Sequence, residues 1–449
     1  MSALLQLFGA TYGTRPLLDV FADEGFAAAF LDFERALLEV QEAFGLVPGG
    51  EAAKLAAIHV SQLDLPAAGR LAVTTGNPVA GLVEQLHDAA PYAHYGVTAH
   101  DAWDTAHVLQ LREATGLILR DVRTVAGRLA ELADTHADSP MVGRTQGQAG
   151  APTTLGFKLA IWLDELLRVA ARLERASAEA CLISIAGAVG TGSSFAVMGG
   201  DPERVERAVA ERLCLQPVRT AWHTARDPLV ALAGALAQLC TLAGKAGHEI
   251  YNLQRTGIEE VADGAAAGSS SVPQKINPWR AQRMHGLAVV GRGLAASVDA
   301  AAGLPEGERE IGSAYAEWHG LAHLCLTTGR LAADLADLCV HLEIRTETIR
   351  ANLDAQPSVL SESLNIVLCQ AVGKQRGHQL MKAAMARHHQ GLPFREAVTE
   401  AFTTAGAEPP DDSLFTAGVS GWAPRRARET AATARAWLRH GEPAGKNAR

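Results

Sequence analysis

The sequence predicts an all-α protein built on long helices, and three observations carry that expectation. Apolar residues recur at steps of three and four over unusually long stretches. Glycine and proline gather in the short intervals between them. Hydrophobic residues make up 48% of the 449 positions while aromatics make up only 5%, so the core is built from small aliphatic side chains and above all alanine, the strongest intrinsic helix former.

The clearest pattern begins at Leu155. No glycine or proline falls between Phe157 and Ala186, and Leu155, Leu159, Trp162, Leu166, Val169 and Leu173 share one face. At 1.5 Å per residue this predicts a helix of roughly 45 Å. Comparable patterns run over 101–136, 228–261, 278–302 and 315–342. Such helices on short connections predict an elongated bundle, and the apolar surface left over predicts an oligomer. The expected division is an N-terminal helical domain (1–95), a central long-helix bundle (96–345) and a C-terminal helical domain (346–449). The flanks hold shorter helices such as 31–44, with turns at 48–50, 76–78 and 406–410. The basic end, Lys446–Arg449, is expected to be disordered.

A net charge of -9 argues against nucleic acid as a partner while leaving room for a small anion in a local positive pocket. The N-terminus carries no basic run ahead of its apolar residues. The apolar stretch 183–200 is broken by Gly and Ser, and 287–304 carries Arg292 and Asp299, so neither is expected to span a membrane. Six scattered cysteines without a CxxC pair fit a reduced, cytoplasmic protein.

The chemistry concentrates in Gly264–Pro278, GAAAGSSSVPQKINP, which separates two long helical patterns. Asn277-Pro278 are preferred N-cap and N1 residue types, so the loop should empty onto a helix N-terminus, where free N–H groups favour an anion. Lys275 adds a positive charge. The same residues would also suit an ordinary flexible connection. The loop, however, resembles the signature G-S-S-x-x-P-x-K-x-N of the fumarase/aspartase superfamily at Gly268, Ser269, Ser270, Pro273, Lys275 and Asn277. Further blocks follow in that family's order. His94–Asp101 resembles H-x-G-x-T-S-x-D, Gly143–Gln148 with Pro152-Thr153-Thr154 resembles G-R-T-H-G-Q…P-T-T, and Gly187–Thr191 resembles its glycine turn.

The resemblance implies three helical domains whose central bundles form a 20-helix core in a homotetramer, with active sites shared between chains. No cofactor and no metal are expected. The resemblance also implies removal of a proton beside a carboxylate, followed by loss of a group from the β carbon, on a small anionic di- or tricarboxylate. A serine can serve as base only if backbone N–H groups and a cation stabilise its alkoxide. Ser269 is assigned that role, with Ser270 as the fallback and Lys275 as the catalytic cation. Asn77, Thr98, Arg144, Thr145, Gln146, Ser270, Asn277 and Arg309 are the expected substrate-binding residues.

Departures from the family pattern narrow the chemistry. Members that expel an amine carry histidine where this chain has Gln146, which supplies no proton near neutral pH. Thr75-Gly76-Asn77-Pro78-Val79 and Trp222–Asp227 resemble the carboxymuconate cycloisomerase subgroup, yet Ala225, Ala99 and Gln282 depart from it. Nitrite and carboxylate leave without protonation, so the expected reaction is loss of nitrite from nitrosuccinate to give fumarate. A lactonising cycloisomerase is the alternative, followed by an adenylosuccinate-type lyase and a non-catalytic binding protein. Glu317, His319 and His323 cluster in sequence but lack a further ligand for zinc. The glycine turn lacks a P-loop lysine. His223 reads equally as a pocket residue or a structural one.

Overall fold

The computed structural model describes residues 5–415 and 421–440; Lys446–Arg449, expected to be disordered, lies outside them. Among the described residues there are 18 α-helices and two short antiparallel strand pairs, so the chain is all-α. The elements that matter here are α1 (Asp23–Ala43), α2 (Ala99–Thr135), β1 (Pro140–Thr145), β2 (Gln148–Thr154), α3 (Leu155–Ala180), α4 (Asp227–Leu253), β3 (Val261–Asp263), α5 (Trp279–Ala302), α6 (Gly312–Val340), β4 (Leu342–Ile344), α7 (Ser361–Val372), α8 (Lys374–His389) and α9 (Phe394–Ala405).

Two compact units divide the chain: residues 1–122, 168–244 and 283–334 form the first, and 123–167, 245–282 and 335–449 form the second. In the first, α1 packs on helices Glu51–Ala56 and Pro202–Leu213 and buries Phe30, Phe33, Leu37 and Val40 on one face. Small residues set its helix contacts. A methyl group on Gly244 of α4 would lie 2.4 Å from Ala288 Cβ of α5, so this crossing closes only without side chains between the backbones. The second unit has its own core, in which α7, α8 and α9 bury Leu364, Leu368, Met381, Phe394, Val398 and Phe402 against Val142 of β1 and Leu353. There β1 pairs with β2 and β3 pairs with β4.

The long helices match the sequence patterns with shifted ends. α3 stops at Ala180 rather than continuing to 186. Beyond it the chain is extended, because Ile183 N donates to Gln216 O (3.0 Å) and Gln216 N to Cys181 O (2.8 Å), while Thr105 Oγ1 donates to Ser184 O (3.0 Å). These tertiary bonds, with β-branched Ile183 and Ile185, outweigh a helical pattern that no glycine interrupts. α4 likewise ends at Leu253, before left-handed Gly257 and Glu259 (φ +84° and +52°) turn the chain into β3. Helix α4 is long and apolar enough to cross a membrane, but 61% of its apolar window is buried within the protein, as expected of a core helix. The β1–β2 hairpin has no counterpart in the helical pattern.

Candidate active site

In the second unit the signature loop is strung between two fixed ends. Arg280, in the first turn of α5, holds both oxygens of buried Asp263 on β3 at 2.7 and 2.8 Å. The loop closes on itself by Ser269 N to Lys275 O (2.8 Å) and Lys275 N to Val272 O (2.9 Å). Helix α5 begins one residue later than the Asn277 cap predicts. Pro278 O accepts the first helical bond, from Gln282 N at 3.1 Å, and Asn277 O accepts from Trp279 N at 2.8 Å. Asn277 is therefore half-buried just ahead of the cap.

Ser269 Oγ accepts from two backbone groups, Ser271 N (3.3 Å) and Val272 N (3.1 Å). Donors of this kind favour the charged form of an oxygen over its protonated form, which is what a serine base requires. Ser269 is half-buried, whereas Ser270 and Lys275 are exposed. Lys275 also lines a cavity of about 660 Å³ together with Tyr251, Arg255, Ile276, Pro278 and Arg345.

The G-R-T-Q-G-Q block forms the tip of the β1–β2 hairpin. Thr145 pairs with Gln148, leaving Gln146 and Gly147 as a two-residue loop with φ +53° and +75°. Positive φ at both positions is the turn that matches the twist of paired strands. The register shifts between Val142 and Arg144, where Gly150 and Ala151 of β2 together stand opposite Gly143, one extra residue on β2. Gly143 is required there, because a Cβ would sit 2.6 Å from Ala151 O. Arg144 NH1 and NH2 donate to Glu260 Oε2 and Oε1 at 2.9 and 2.6 Å, and Thr145 and Gln146 are exposed at the tip.

The first unit holds the other expected residues. Thr98 precedes α2, and its hydroxyl receives Arg309 NH1. Asn77 is half-buried; its Oδ1 accepts from Val79 N at 3.1 Å, and Tyr315 OH holds the same turn through Gly76 O at 2.9 Å. Behind Thr98 lies a fully buried carboxylate, Asp101. Its Oδ2 accepts from Thr98 N (3.0 Å) and Gly187 N (2.8 Å), and its Oδ1 from Ser184 Oγ (3.2 Å), Ala186 N (3.0 Å) and His223 Nε2 (2.8 Å). The Thr98–Asp101 pair is half of a capping box: the carboxylate reaches back to the Thr98 N–H, while the threonine hydroxyl turns to Arg309. Asp101 thus ties the start of α2 to the glycine turn and to His223. His223 is buried as well, and its second nitrogen, Nδ1, is unpartnered.

One turn further along α2, Asp104 and Glu317 of α6 share the buried Arg226 guanidinium. Burial pushes Asp104 up, but Arg226 and His100 outweigh it and hold the carboxyl below its usual range. For Glu317 burial prevails over Arg226 and the carboxyl is raised. Glu317 is therefore an ion-pair partner, and the His319 and His323 rings lie tilted at 35° with centroids 4.2 Å apart. His100, nearly buried two residues beyond Thr98, is pushed below its ordinary value by burial, with Asp104 opposing and Arg226, His223 and Arg309 adding to the fall. Sequence reasoning missed Asp104, Arg226 and Glu260 as site supports. Asp101 was visible only as the last letter of a motif.

A lyase family pattern matches residues 62–293, more than half of the chain. The chain is 36% identical over 396 residues to a 3-carboxy-cis,cis-muconate cycloisomerase of Pseudomonas putida, covering 85% of this chain and 93% of that protein. It is 34% identical over 405 residues to a nitrosuccinate lyase of Streptomyces davaonensis, covering 86% and 85% respectively. Among solved structures, a 3-carboxy-cis,cis-muconate lactonizing enzyme from Pseudomonas putida superimposes with a TM-score of 0.87 at 32% identity, over 96% of this chain and 99% of that one. Taken with the signature loop, the hairpin and the helical architecture, these likenesses place the chain in the lyase family, as a member of the fumarase/aspartase superfamily.

Proposed function

We propose that this lyase eliminates a stable anion from a C2-substituted succinate, nitrite from nitrosuccinate above all, and releases fumarate. The observation that carries the reading is Gln146, exposed at the hairpin tip where amine-expelling members of the superfamily resemble this chain except for a histidine. An amide cannot protonate a leaving group, and such protonation is typically worth about 10²–10⁴-fold, which only poor leaving groups need. Ser269 takes the proton, its alkoxide supported by Ser271 N and Val272 N. Lys275, Asn277 and Ser270 receive the carboxylate whose charge grows in the transition state. Thr98 with Arg309, Thr145, Gln146 and Asn77 bind the remainder of the dicarboxylate, and Arg144 contributes through the hairpin it anchors. The domains are taken as 1–95, 96–345 and 346–449, and the working unit as a cytoplasmic homotetramer with shared sites and no cofactor.

A second reading, lactonising 3-carboxy-cis,cis-muconate cycloisomerase, is favoured by the likeness to the Pseudomonas putida protein. It uses the same residues in the opposite sense: a carboxylate adds to the double bond while a proton is delivered to the neighbouring carbon, and run backwards this is an elimination in which a carboxylate departs unassisted. The test measures nitrite and fumarate release from nitrosuccinate beside lactone formation from carboxymuconate and amine release from aspartate, argininosuccinate and adenylosuccinate. Turnover confined to carboxymuconate moves the answer to the cycloisomerase, and rapid turnover of adenylosuccinate overturns both readings.

A further inference from the structure

We propose that Glu260, with Asn352, is a positioning residue for the reaction, setting the hairpin tip through Arg144. The proposal rests on the reading that Thr145 and Gln146 face substrate. Glu260 is fully buried and accepts from both terminal nitrogens of Arg144 at 2.9 and 2.6 Å, a paired geometry that fixes direction as well as distance. Asn352 Nδ2 donates to Glu260 Oε1 at 3.1 Å and to Ile258 O at 2.7 Å. The Glu260 backbone is itself fixed, its N–H on Leu253 O (2.9 Å) and its carbonyl taking Arg345 N (3.0 Å). A rigid carboxylate thus reaches the strand that bears the tip.

The backbone around this pair is independently unusual. Only four described residues other than glycine have positive φ, and two of them flank it: Gln146, two residues after Arg144, and Glu259, immediately before Glu260. Such conformations persist only where the surroundings over-determine them. The register shift opposite Gly143, where β2 carries one extra residue, is a third departure from regular geometry, directly before Arg144. The positive φ at Gln146 belongs to the two-residue turn itself, but neither the left-handed Glu259 nor the register shift is needed for the strands to pair. Together they orient two exposed side chains from below.

Glu260→Gln would leave Arg144 without a full counter-charge and could simply unfold the unit. The decisive variant is therefore the apolar pair Arg144→Met with Glu260→Leu, because removing both members of a buried ion pair is often neutral for stability. It is expected to keep its thermal midpoint while kcat falls about 10²-fold, the scale of a misplacement of about 1 Å. Adding Gln146→Ala should cost little more, since the tip is already misplaced. Amide hydrogen exchange over 144–149 should quicken, and that readout needs no substrate, so it stands even if none of the five substrates is turned over. A folded pair variant with kcat within threefold of the parent, an additive Gln146→Ala effect, or unchanged exchange at the tip overturns the proposal. Where the pair variant fails to fold, Asn352→Ala removes one donor from the same carboxylate and is read by the same exchange and kcat measurements.

Discussion

Replacing Asp101 by asparagine exchanges one carboxylate oxygen for an NH₂ group and changes almost no volume. The consequences follow from its five donors. In the less damaging orientation the amide oxygen takes the Oδ1 position and keeps Ser184 Oγ, Ala186 N and His223. The new NH₂ then faces Thr98 N and Gly187 N, two donors left without an acceptor. A buried donor stranded in this way costs about 1–3 kcal/mol, so the variant should lose roughly 2–6 kcal/mol. Turned the other way, three donors are stranded instead of two. Against a folding margin of about 5–15 kcal/mol this is severe. The assay is urea unfolding followed by circular dichroism, with parent and variant at equal protein concentration and the slope checked for constancy. Catalysis should suffer in the surviving folded fraction, because Thr98 and its contact with Arg309 hang on the same carboxylate. A variant within about 1 kcal/mol of the parent would mean that the five bonds do not hold this corner together, and the account of Asp101 would be wrong.

Ser269→Ala should lower kcat by about 10³-fold or more while substrate binding and assembly persist; near-normal activity, with loss only in Ser270→Ala, would move the base to Ser270. Gln146→His should leave turnover of the native substrate no faster, measured as fumarate release, since its leaving group needs no proton; a clear acceleration refutes the anion-leaving reading. His107, fully buried with Nε2 unpartnered, is pushed down by burial to about 3 from its ordinary 6.5. The unfolded chain then binds a proton below pH 6.5 that the folded protein refuses until about pH 3, so stability falls on acidification by about 1.4 kcal/mol per pH unit in that window. Relative to His107→Leu, the parent should lose roughly 2 kcal/mol between pH 7 and pH 5. Parallel stability curves for the two proteins would show that His107 titrates normally.

The long helices were legible because their signal is local: residues three and four apart report one face, whatever lies across it. Their ends were less so. Nothing within 181–186 reveals that Gln216 and Thr105 will hold that segment extended, since those partners lie 35 and 79 positions away. The hairpin left a faint trace in Gln146-Gly147 between Val142 and the Thr153-Thr154 pair, overlooked because the block was read as a motif rather than as a turn. Ser269, Lys275 and Asn277 stood out because one loop carries them. Glu260, Arg226 and Asp104 did not, because a buried charge is defined by a partner about a hundred residues distant, and a glutamate in a sequence looks the same whether it is solvated or enclosed. His223, open between two roles from sequence, proves to be tied to Asp101 at 2.8 Å.

The left-handed backbone at Gln146 has a bearing on how this chain could change its chemistry over generations. A position with φ near +53° admits asparagine, aspartate and histidine more readily than most side chains and penalises β-branched ones. The tip is therefore a filter through which new leaving-group chemistry must pass. Polar, hydrogen-bonding residues drift in and out at little conformational expense, whereas valine, isoleucine and threonine are screened out before any question of catalysis arises. Divergence among relatives with different substrates can thus turn on one residue whose neighbours stay fixed, and the backbone decides in advance which exchanges selection ever gets to try.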